Sequence, residues 1–346
     1  MSRRVAPFFD AGRRSSLSGH FNRRDVLTGL TAAGLSPAAT ALLPVFDSQA
    51  ARLSYELSPT KVRDGVWMIA GKQEAITREN GGAIANIGIV DTTEGAVVID
   101  TGSSKAFGEA LVRLARDLTG KPVVRAYLTH FHPDHVFGNQ AFANGVVAAP
   151  EPLISGLAAM GEDFSSAMYY IAGDWMRGTE VIIPKTVVSD GVEEIGGHTF
   201  RTRVLSGHTD CDLVVTDETT GIVFAGDLIF LDRAPTTPHA ELNVWRSSLA
   251  EFDKMFDRSA LVVPGHGPVK EVAVGREQTE RWLNDIEAKI RDCFERGLSA
   301  TEAIAEPLPR WTQSIALARY EYERSVLHIY PQLEAGTWPR VDTSID

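Results

Sequence analysis

The sequence contains few cysteines, no long apolar run, and fewer basic than acidic residues. Its two cysteines, Cys211 and Cys293, cannot build a disulfide framework or a thiolate zinc cluster, and we expect both to be buried. A membrane span needs about 18 consecutive apolar residues, and no uninterrupted apolar run in the sequence is that long. This excludes a polytopic membrane protein. The formal net charge of −11 disfavours a nucleic-acid partner, because excess negative charge repels a phosphate backbone.

The first fifty residues differ in composition from the rest of the chain. They carry six arginines, no lysine and three aspartates, and a weakly apolar run follows Arg23-Arg24. A basic segment, an apolar segment and then small residues form the order of a secretory leader. The paired arginines predict a twin-arginine signal over residues 1–50 and a periplasmic or secreted protein without stable membrane insertion once the leader is removed. A single membrane anchor is the alternative, and whether the leader is removed stays open.

Short apolar runs alternate with turn signals through the rest of the chain. Strands are predicted at residues 62–70, 83–91, 96–100, 123–128, 185–194, 199–206, 213–217, 221–226 and 260–263. Helical spacing predicts helices over 107–118 and 277–297, with Ser103-Ser104 as the N-cap of the first and Gly120 with Pro122 as its end. Ser299 with Glu302 has the form of a capping box for another helix. Two strand-rich halves with interspersed helices predict an α/β fold in which two packed sheets are flanked by helices.

Three of the nine histidines lie within residues 129–135 (THFHPDH), directly after a predicted buried strand. Because alternate residues of an extended chain face the same way, His130 and His132 should point together. A turn at Pro133 would let Asp134 and His135 face the same cavity. Imidazole and carboxylate groups suit zinc or iron, so this segment predicts a metal site.

Three further ligand-type residues, His208, Asp227 and His266, end predicted strands of the second half. Each lies beside a glycine, which relieves crowding where backbone must approach a metal site. Taken singly each is weak evidence, since a lone Gly-His pair is more often structural. Together with the histidine-rich segment, in this order, they are strong evidence for a metal site.

The ordered set of ligand-type residues resembles the metallo-β-lactamase superfamily of metallohydrolases over roughly residues 60–270. Asp100, in the sequence Val-Val-Ile-Asp-Thr-Gly, also matches an early motif of that superfamily. The resemblance implies an αββα sandwich domain over residues 51–270, a helical C-terminal extension over 271–346 and a two-metal site at one edge of the sheets. The implied ligands are His130, His132 and His208 for one metal, Asp134, His135 and His266 for the other, and Asp227 as the bridge.

The resemblance implies two zinc ions per chain, with iron or manganese as alternatives. Such a site is expected to hydrolyse an ester, thioester, lactone or related carbonyl compound with a metal-bridging hydroxide. Asp134 is the implied catalytic residue, which orients the hydroxide and relays a proton. Asp100 is interpreted as an acceptor that orients a ligand histidine, or alternatively as a cap for the following turn.

Specificity is expected from loops near the site. Residues 232–239 follow Asp227 and would form one pocket wall, with Asp232 and His239 as candidate substrate contacts; loop packing is the alternative for His239. An aromatic group between the metal motifs is expected to be a satellite core or a substrate wall; it consists of Tyr169, Tyr170 and Trp175. The helical tail is expected to be core, a pocket cover or an oligomer contact.

Asp227 helps to separate subfamilies of the superfamily. True class B β-lactamases generally carry Cys or Ser at this position, whereas an aspartate resembles the glyoxalase II type of site. The stretch 230–239, the leader and the sequence Pro-Gly-His-Gly-Pro are similar to exported quinoprotein relay system zinc metallohydrolases, which implies a quinoprotein dehydrogenase system as partner. The alternatives are a mononuclear-iron persulfide dioxygenase-like enzyme, a β-lactam hydrolase and a non-enzymatic binder.

Overall fold

The computed structural model describes residues 53–337, so the predicted leader lies outside the described residues. The strands are β1 Pro59–Arg63, β2 Val66–Ile69, β3 Ile87–Asp91, β4 Ala96–Ile99, β5 Val123–Tyr127, β6 Val147–Ala149, β7 Thr186–Val187, β8 Gly191–Ile195, β9 His198–Leu205, β10 Asp212–Asp217, β11 Ile222–Phe230, β12 Leu261–His266 and β13 Lys270–Glu271. The α-helices are α1 Lys105–Thr119, α2 Pro133–Val136, α3 Glu151–Ala172, α4 Leu242–Met255, α5 Val272–Glu295, α6 Ala300–Ala305 and α7 Ala318–Thr337.

Within the described residues the strands form two sheets. One has seven strands in chain order from β1 to β7, and the other has six in the order β13-β12-β11-β10-β9-β8. The chain therefore passes from the first sheet to the second between β7 and β8. Helices α1 and α3 cover the first sheet, and α4 to α7 pack on the second. The predicted αββα architecture with a helical C-terminal region is confirmed.

Alternation of side chains along buried strands builds this layering. All four residues of β4 are buried: Val97 and Ile99 belong to the cluster between the sheets, while Ala96 and Val98 pack under the helices. The nine residues of β11 are likewise all buried. Strands covered on both faces are continuously apolar rather than alternating, which explains the short apolar runs in the sequence.

Local capping signals are confirmed at two helix starts. Ser104 caps α1 by accepting a hydrogen bond from the Phe107 amide, and Gly120 ends that helix with φ at 71°. The predicted capping box of Ser299 and Glu302 is present at the start of α6, with both of its hydrogen bonds. Helix α5 begins five residues before the predicted start at residue 277.

Two predicted strands are corrected by the structure. Residues 62–70 do not form one strand, because the turn at Asp64 and Gly65, where φ is 73°, folds β1 back on β2. Residues 185–194 supply β7 to one sheet and β8 to the other, because the chain crosses between the sheets there. An alternating pattern alone does not identify which sheet a strand joins.

Two long helices, α3 and α4, were not predicted. The buried stripe of α3 includes Gly161 and Ser165 among its apolar residues, which dilutes the periodic pattern. Neither residue adds much apolar surface, yet a Cβ at Gly161 would lie 2.6 Å from Val181, so the close packing requires glycine there.

Helices after residue 270 share a hydrophobic cluster with β11 and α4, centred on the fully buried Trp245 and Trp282. The expectation that the tail contributes core is met. The domain boundary at residue 270 stays a prediction. No helix among residues 53–337 has both the length and the apolar character that a membrane span needs.

Asn86 joins the two sheets beside the end of β12. Its amide nitrogen donates to the carbonyls of Pro264 and Gly267 at 2.9 Å and 2.8 Å, and its side-chain oxygen accepts from the Gly71 amide at 3.0 Å. The side chain is only 4% exposed, so these backbone groups have no ready access to water. Asn86 therefore fixes the loop that carries His266.

We expect Asn86→Ala to lower the free energy of unfolding by about 2–4 kcal/mol, because buried carbonyls and an amide lose their partners. Urea denaturation of the purified protein measures this change. Asn144→Ala, at an exposed turn, is the matched control and should change stability by less than about 0.5 kcal/mol. Equal stability of the two variants would contradict the assigned role.

Candidate metal centre

The seven predicted ligand residues come together between the ends of the two sheets. His130 and His132 follow β5, and α2 begins at Pro133 and presents Asp134 and His135. The second sheet supplies the remaining three residues, all of them buried: His208, Asp227 and His266. Their donor atoms form two groups, each within 4.8 Å.

The first group contains three imidazole nitrogens and one carboxylate oxygen. Nδ1 of His132 lies 3.1 Å from Nε2 of His130 and 2.9 Å from Nε2 of His208. Oδ2 of Asp227 lies 3.2 Å from Nε2 of His208 and 3.7 Å from Nε2 of His130.

The second group contains Asp134, His135 and His266. Oδ2 of Asp134 lies 3.6 Å from Nε2 of His135 and 3.4 Å from Nε2 of His266. Asp227 also reaches this group, since its Oδ1 lies 3.3 Å from Nε2 of His135 and its Oδ2 lies 3.4 Å from Nε2 of His266. One carboxylate therefore contacts both groups of donors.

These distances fit metal ligands. Nitrogen donors about 2.0–2.1 Å from a tetrahedral zinc ion are about 3.3 Å apart, close to the separations observed here. Two polar atoms that face the centre, Nε2 of His135 and Oδ1 of Asp227, are buried without a hydrogen-bond partner. Buried polar atoms rarely stay unpaired, so cations at this place account for the arrangement. The residues fit a two-metal site.

In His130, His135 and His266 the outward Nδ1 is held by a hydrogen bond, which leaves Nε2 free for a metal. Nδ1 of His135 lies 2.7 Å from Oδ2 of Asp100, and Nδ1 of His266 donates to the carbonyl of Ile84 at 2.8 Å. Thr129 donates its hydroxyl to Asp100 and so accepts from Nδ1 of His130 at 3.0 Å. Such outer contacts orient metal ligands and fix their tautomers.

Asp100 thus contacts one ligand histidine directly and another through Thr129. Its Oδ1 accepts from the Thr129 amide at 2.8 Å, so the carboxylate receives three donors in all. Asp100 is buried, and its φ is 65°, a strained conformation for a residue with a side chain. Its geometry suits the predicted orienting role better than a helix cap, because Ser104 caps α1.

His239 lies against a ligand histidine. Its Nδ1 is 2.9 Å from Nε2 of His132, the nitrogen opposite the one that faces the centre. Its ring also packs edge-on against Phe164, with 5.6 Å between the centroids. If Nδ1 of His132 binds a metal, Nε2 carries the proton and donates to His239.

The electrostatics of the site favour neutral side chains for His130 and His132. Burial, followed by the neighbouring His135, holds the pKa of His130 well below its ordinary value, and burial with His208 does the same for His132. Burial opposes ionisation of His135, but the carboxylates of Asp134 and Asp100 raise its pKa well above the usual range. Positive charge is therefore favoured beside His135, at the place where a metal would lie.

Burial alone would raise the pKa of Asp227, but the facing histidines, His266 first, lower it well below its ordinary value. The carboxylate is ionised and can bind cations on both sides. The predicted strand end at Asp227 is corrected, because β11 continues to Phe230. Register breaks on both sides of Gly226 bend the strand and aim the Asp227 side chain at the centre.

Glycine beside the ligands allows close backbone approach, as predicted. A Cβ at Gly265 would lie 1.9 Å from Oδ1 of Asp227, so any side chain there would displace the shared carboxylate. A Cβ at Gly207 would lie 2.3 Å from the Cα of Trp245. Asp212, which no sequence motif indicates, accepts hydrogen bonds from the amides of His208 and Thr209 and holds this loop.

A cavity of about 260 Å³ opens onto Asp134, Asp227 and His266. One wall is apolar and comes from α3, including Phe164 and Met168. Another comes from the loop after β11, and α7 closes the cavity with Tyr320, Glu321 and Arg324. The prediction that the tail covers the pocket therefore agrees with the position of α7.

Loop residues named from the sequence have different positions. His239 lines the cavity, but Asp232 is exposed and is not among the described residues that line it. The next residue, Arg233, lines the wall instead, because the chain turns at Asp232, where φ is 55°. An arginine in a loop otherwise rich in apolar residues and proline was the signal that could have identified it.

The predicted aromatic group does not form the cavity wall. Tyr169 and Tyr170 are 43% and 84% exposed at the end of α3. Trp175 packs against Tyr55 with 4.3 Å between ring centroids, as part of a satellite core. Cys211 and Cys293 are free and buried in different clusters, as expected, and burial raises the pKa of the Cys211 thiol to about 11.

We predict that Asp100→Asn weakens metal binding by about 10- to 100-fold, because an amide cannot accept from all three donors that face Asp100. Competition with a chromophoric chelator measures the affinity. Asp117→Asn, on the exposed face of α1, is the control and should bind metal like the unmodified protein. Unchanged affinity in Asp100→Asn, with the fold intact, would show that Asp100 does not orient the ligands.

Comparisons with known proteins agree with the fold and the site. A model of the metallo-beta-lactamase superfamily matches residues 80–266. The metallo-beta-lactamase type 2 of Bacillus sp. (strain 170) is 25% identical over 194 residues, which are 55% of this chain and 70% of that protein. A linear primary-alkylsulfatase of Pseudomonas sp. (strain ATCC 19151) is 34% identical over 56 residues, 16% of this chain and 11% of that protein.

Among solved structures, a beta-lactamase domain protein from Burkholderia ambifaria has the same fold. The TM-score is 0.56 at 17% identity, and the match covers 85% of this chain and 93% of that one. The superfamily model spans more than half of the described sequence, and its matched region contains all seven donor residues. The chain therefore belongs to the metallo-β-lactamase superfamily and is a hydrolase with a two-metal site.

Proposed function

We propose that this protein is an exported binuclear zinc hydrolase that cleaves an ester, thioester or lactone carbonyl. The observation that carries the proposal is the position of Asp227, whose carboxylate contacts both groups of donors at the edge of one cavity. The donors are nitrogen and oxygen atoms without a thiolate, which suits zinc and also allows iron or manganese.

When bound, two zinc ions supply Lewis acidity toward a carbonyl oxygen and lower the pKa of coordinated water to about 7. The protein's own residues hold and shield the reacting groups. Asp134, which is 7% exposed and lines the cavity, holds or moves a proton at its carboxylate. His239 accepts from His132 and keeps its orientation, while Phe164 and Met168 limit the entry of water.

Asp227 also supports ester-type substrates over β-lactams. The superfamily's class B β-lactamases generally have Cys or Ser at this position, and an aspartate is typical of glyoxalase II-like sites. Because the chain is similar to a metallo-beta-lactamase type 2, β-lactams should also be tested as substrates. A mononuclear-iron dioxygenase is disfavoured because all donors of the second group are in place.

Export and partnership form part of the same proposal. The paired arginines before the weakly apolar run support export by the twin-arginine route to the periplasm. The loop 230–239 and the Pro-Gly-His-Gly-Pro sequence support work beside a quinoprotein dehydrogenase system. A folded, metal-loaded protein suits this route, because metal binding and folding are coupled.

A substrate panel tests the activity. Zinc-loaded protein should hydrolyse members of a panel of aryl esters, thioesters and lactones with kcat/KM at least about 100-fold above the metal-free protein. Alkyl sulfates and β-lactams belong in the same panel because of the similar proteins. The proposal would be contradicted if the zinc-loaded protein hydrolysed no member of the panel and the iron-loaded protein consumed oxygen in the presence of a persulfide.

A further inference from the structure

A buried arginine without hydrogen-bond partners lines the cavity beside the metal centre. Arg233 is 4% exposed, and its Nε and Nη1 atoms have no hydrogen-bond partner among the described residues. Its nearest acidic group, Oε1 of Glu321, lies 3.9 Å from Nη2, beyond hydrogen-bond distance. Guanidinium N–H groups buried without acceptors are rare in folded proteins, so they point to a ligand.

The charges around Arg233 leave a positive excess. Glu321 is fully buried and is shared with Arg324, whose Nη1 lies 3.2 Å and 3.1 Å from its two carboxylate oxygens. Two guanidinium groups therefore face one carboxylate on the cavity wall. An added anion would balance the remaining charge and supply acceptors for the free donors.

Backbone hydrogen bonds on both sides of Arg233 fix its position. Its neighbour Ala234 donates to the carbonyl of Ala316 at 2.9 Å, and the Ala316 amide donates to the carbonyl of Asp232 at 2.8 Å. These bonds tie the loop after β11 to the segment before α7. Helix α7 in turn provides Glu321 and Arg324, so this wall is complete only with the C-terminal helix.

The guanidinium lies close to the metal ligands. The Phe230 ring stacks on His266, with 5.2 Å between centroids, and the guanidinium carbon of Arg233 lies 5.8 Å from the same ring. One aromatic ring thus separates Arg233 from a metal ligand. A small substrate can reach both places within a cavity of about 260 Å³.

We propose that Arg233, supported by Glu321 and Arg324, binds an anionic oxygen group of the substrate while the scissile bond lies at the metal centre. The substrate is then a small hydrolysable compound with a carboxylate or sulfonate-type group at one end and an apolar portion against α3. A planar guanidinium binds either oxyanion through paired hydrogen bonds. This inference rests on the proposed hydrolase function.

Kinetics on matched esters tests the inference. Zinc-loaded protein is assayed with phenyl acetate, 4-acetoxybenzoate and 4-acetoxybenzenesulfonate, which differ in the remote group. Arg233→Met should lower the kcat/KM ratio of an anionic to the neutral ester by about 10- to 100-fold, mainly through KM. The anionic ester whose kcat/KM falls more in Arg233→Met carries the preferred oxyanion. Arg113→Met, on the exposed face of α1, is the control and should keep the ratio.

A second variant guards against misfolding. Arg233→Met combined with Glu321→Gln removes both buried charges together and should show the same loss of discrimination. Arg233→Lys should restore part of it, since it keeps the charge without the paired donors. The inference would be overturned if both variants that carry Arg233→Met kept the kcat/KM ratio of anionic to neutral ester within about twofold of the unmodified protein. Their fold and zinc content must be intact for this comparison.

Direct binding separates this inference from the proposed hydrolase function. Isothermal titration of the zinc-loaded protein with 4-hydroxybenzoate and with 4-hydroxybenzenesulfonate should give a Kd that rises about 10- to 100-fold in Arg233→Met. If no ester is hydrolysed but this difference remains, the hydrolase proposal fails and the anion site stands. Equal Kd values in both proteins would overturn the anion site even where esters are hydrolysed.

Discussion

The structure depends on the convergence of buried imidazole nitrogens and carboxylates that do not satisfy one another. Nδ1 of His132 faces two other imidazole nitrogens at hydrogen-bond distance, and Nε2 of His135 stays without a partner. Burial of so many donor atoms is unfavourable unless cations lie among them. Metal binding should therefore contribute to folding as well as to chemistry.

The rest of the fold holds this convergence in place. Asp100 and Thr129 orient two histidines from the first sheet, and Asn86 anchors the loop of His266 across the sheets. Glycine at position 265 lets backbone pass Asp227 without collision. Helix α7 then closes the cavity, so the C-terminal helices form part of the functional site as well as of the core.

Much of this arrangement followed from local sequence pattern. The ligand residues lie next to short apolar strands, and strand ends meet at one edge of a sandwich. His130, His208 and His266 are therefore predictable from the sequence as metal ligands. The helix caps at Ser104 and Ser299 depend on neighbours a few residues away and were equally predictable.

Features that depend on distant parts of the chain were not predictable. The buried stripe of α3 contains small residues whose packing depends on a distant segment of the chain. The change of sheet between β7 and β8 depends on which strands are available for pairing at each sheet edge. Arg233 and Glu321 are 88 residues apart, and contacts such as the bridge to Ala316 and the hydrogen bond between Thr237 and Ser325 bring them together. Asp232 and Arg233 are adjacent in the sequence, and spacing alone does not show which of the two points inward.

We expect one chain to hold two metal ions that share Asp227. The most direct test is elemental analysis of purified protein after titration of the metal-free form with zinc and removal of the unbound ion. We expect two zinc ions per chain in the unmodified protein and fewer in Asp227→Ala, because that change removes a donor from both groups. A single bound ion per chain, unaffected by Asp227→Ala, would contradict it.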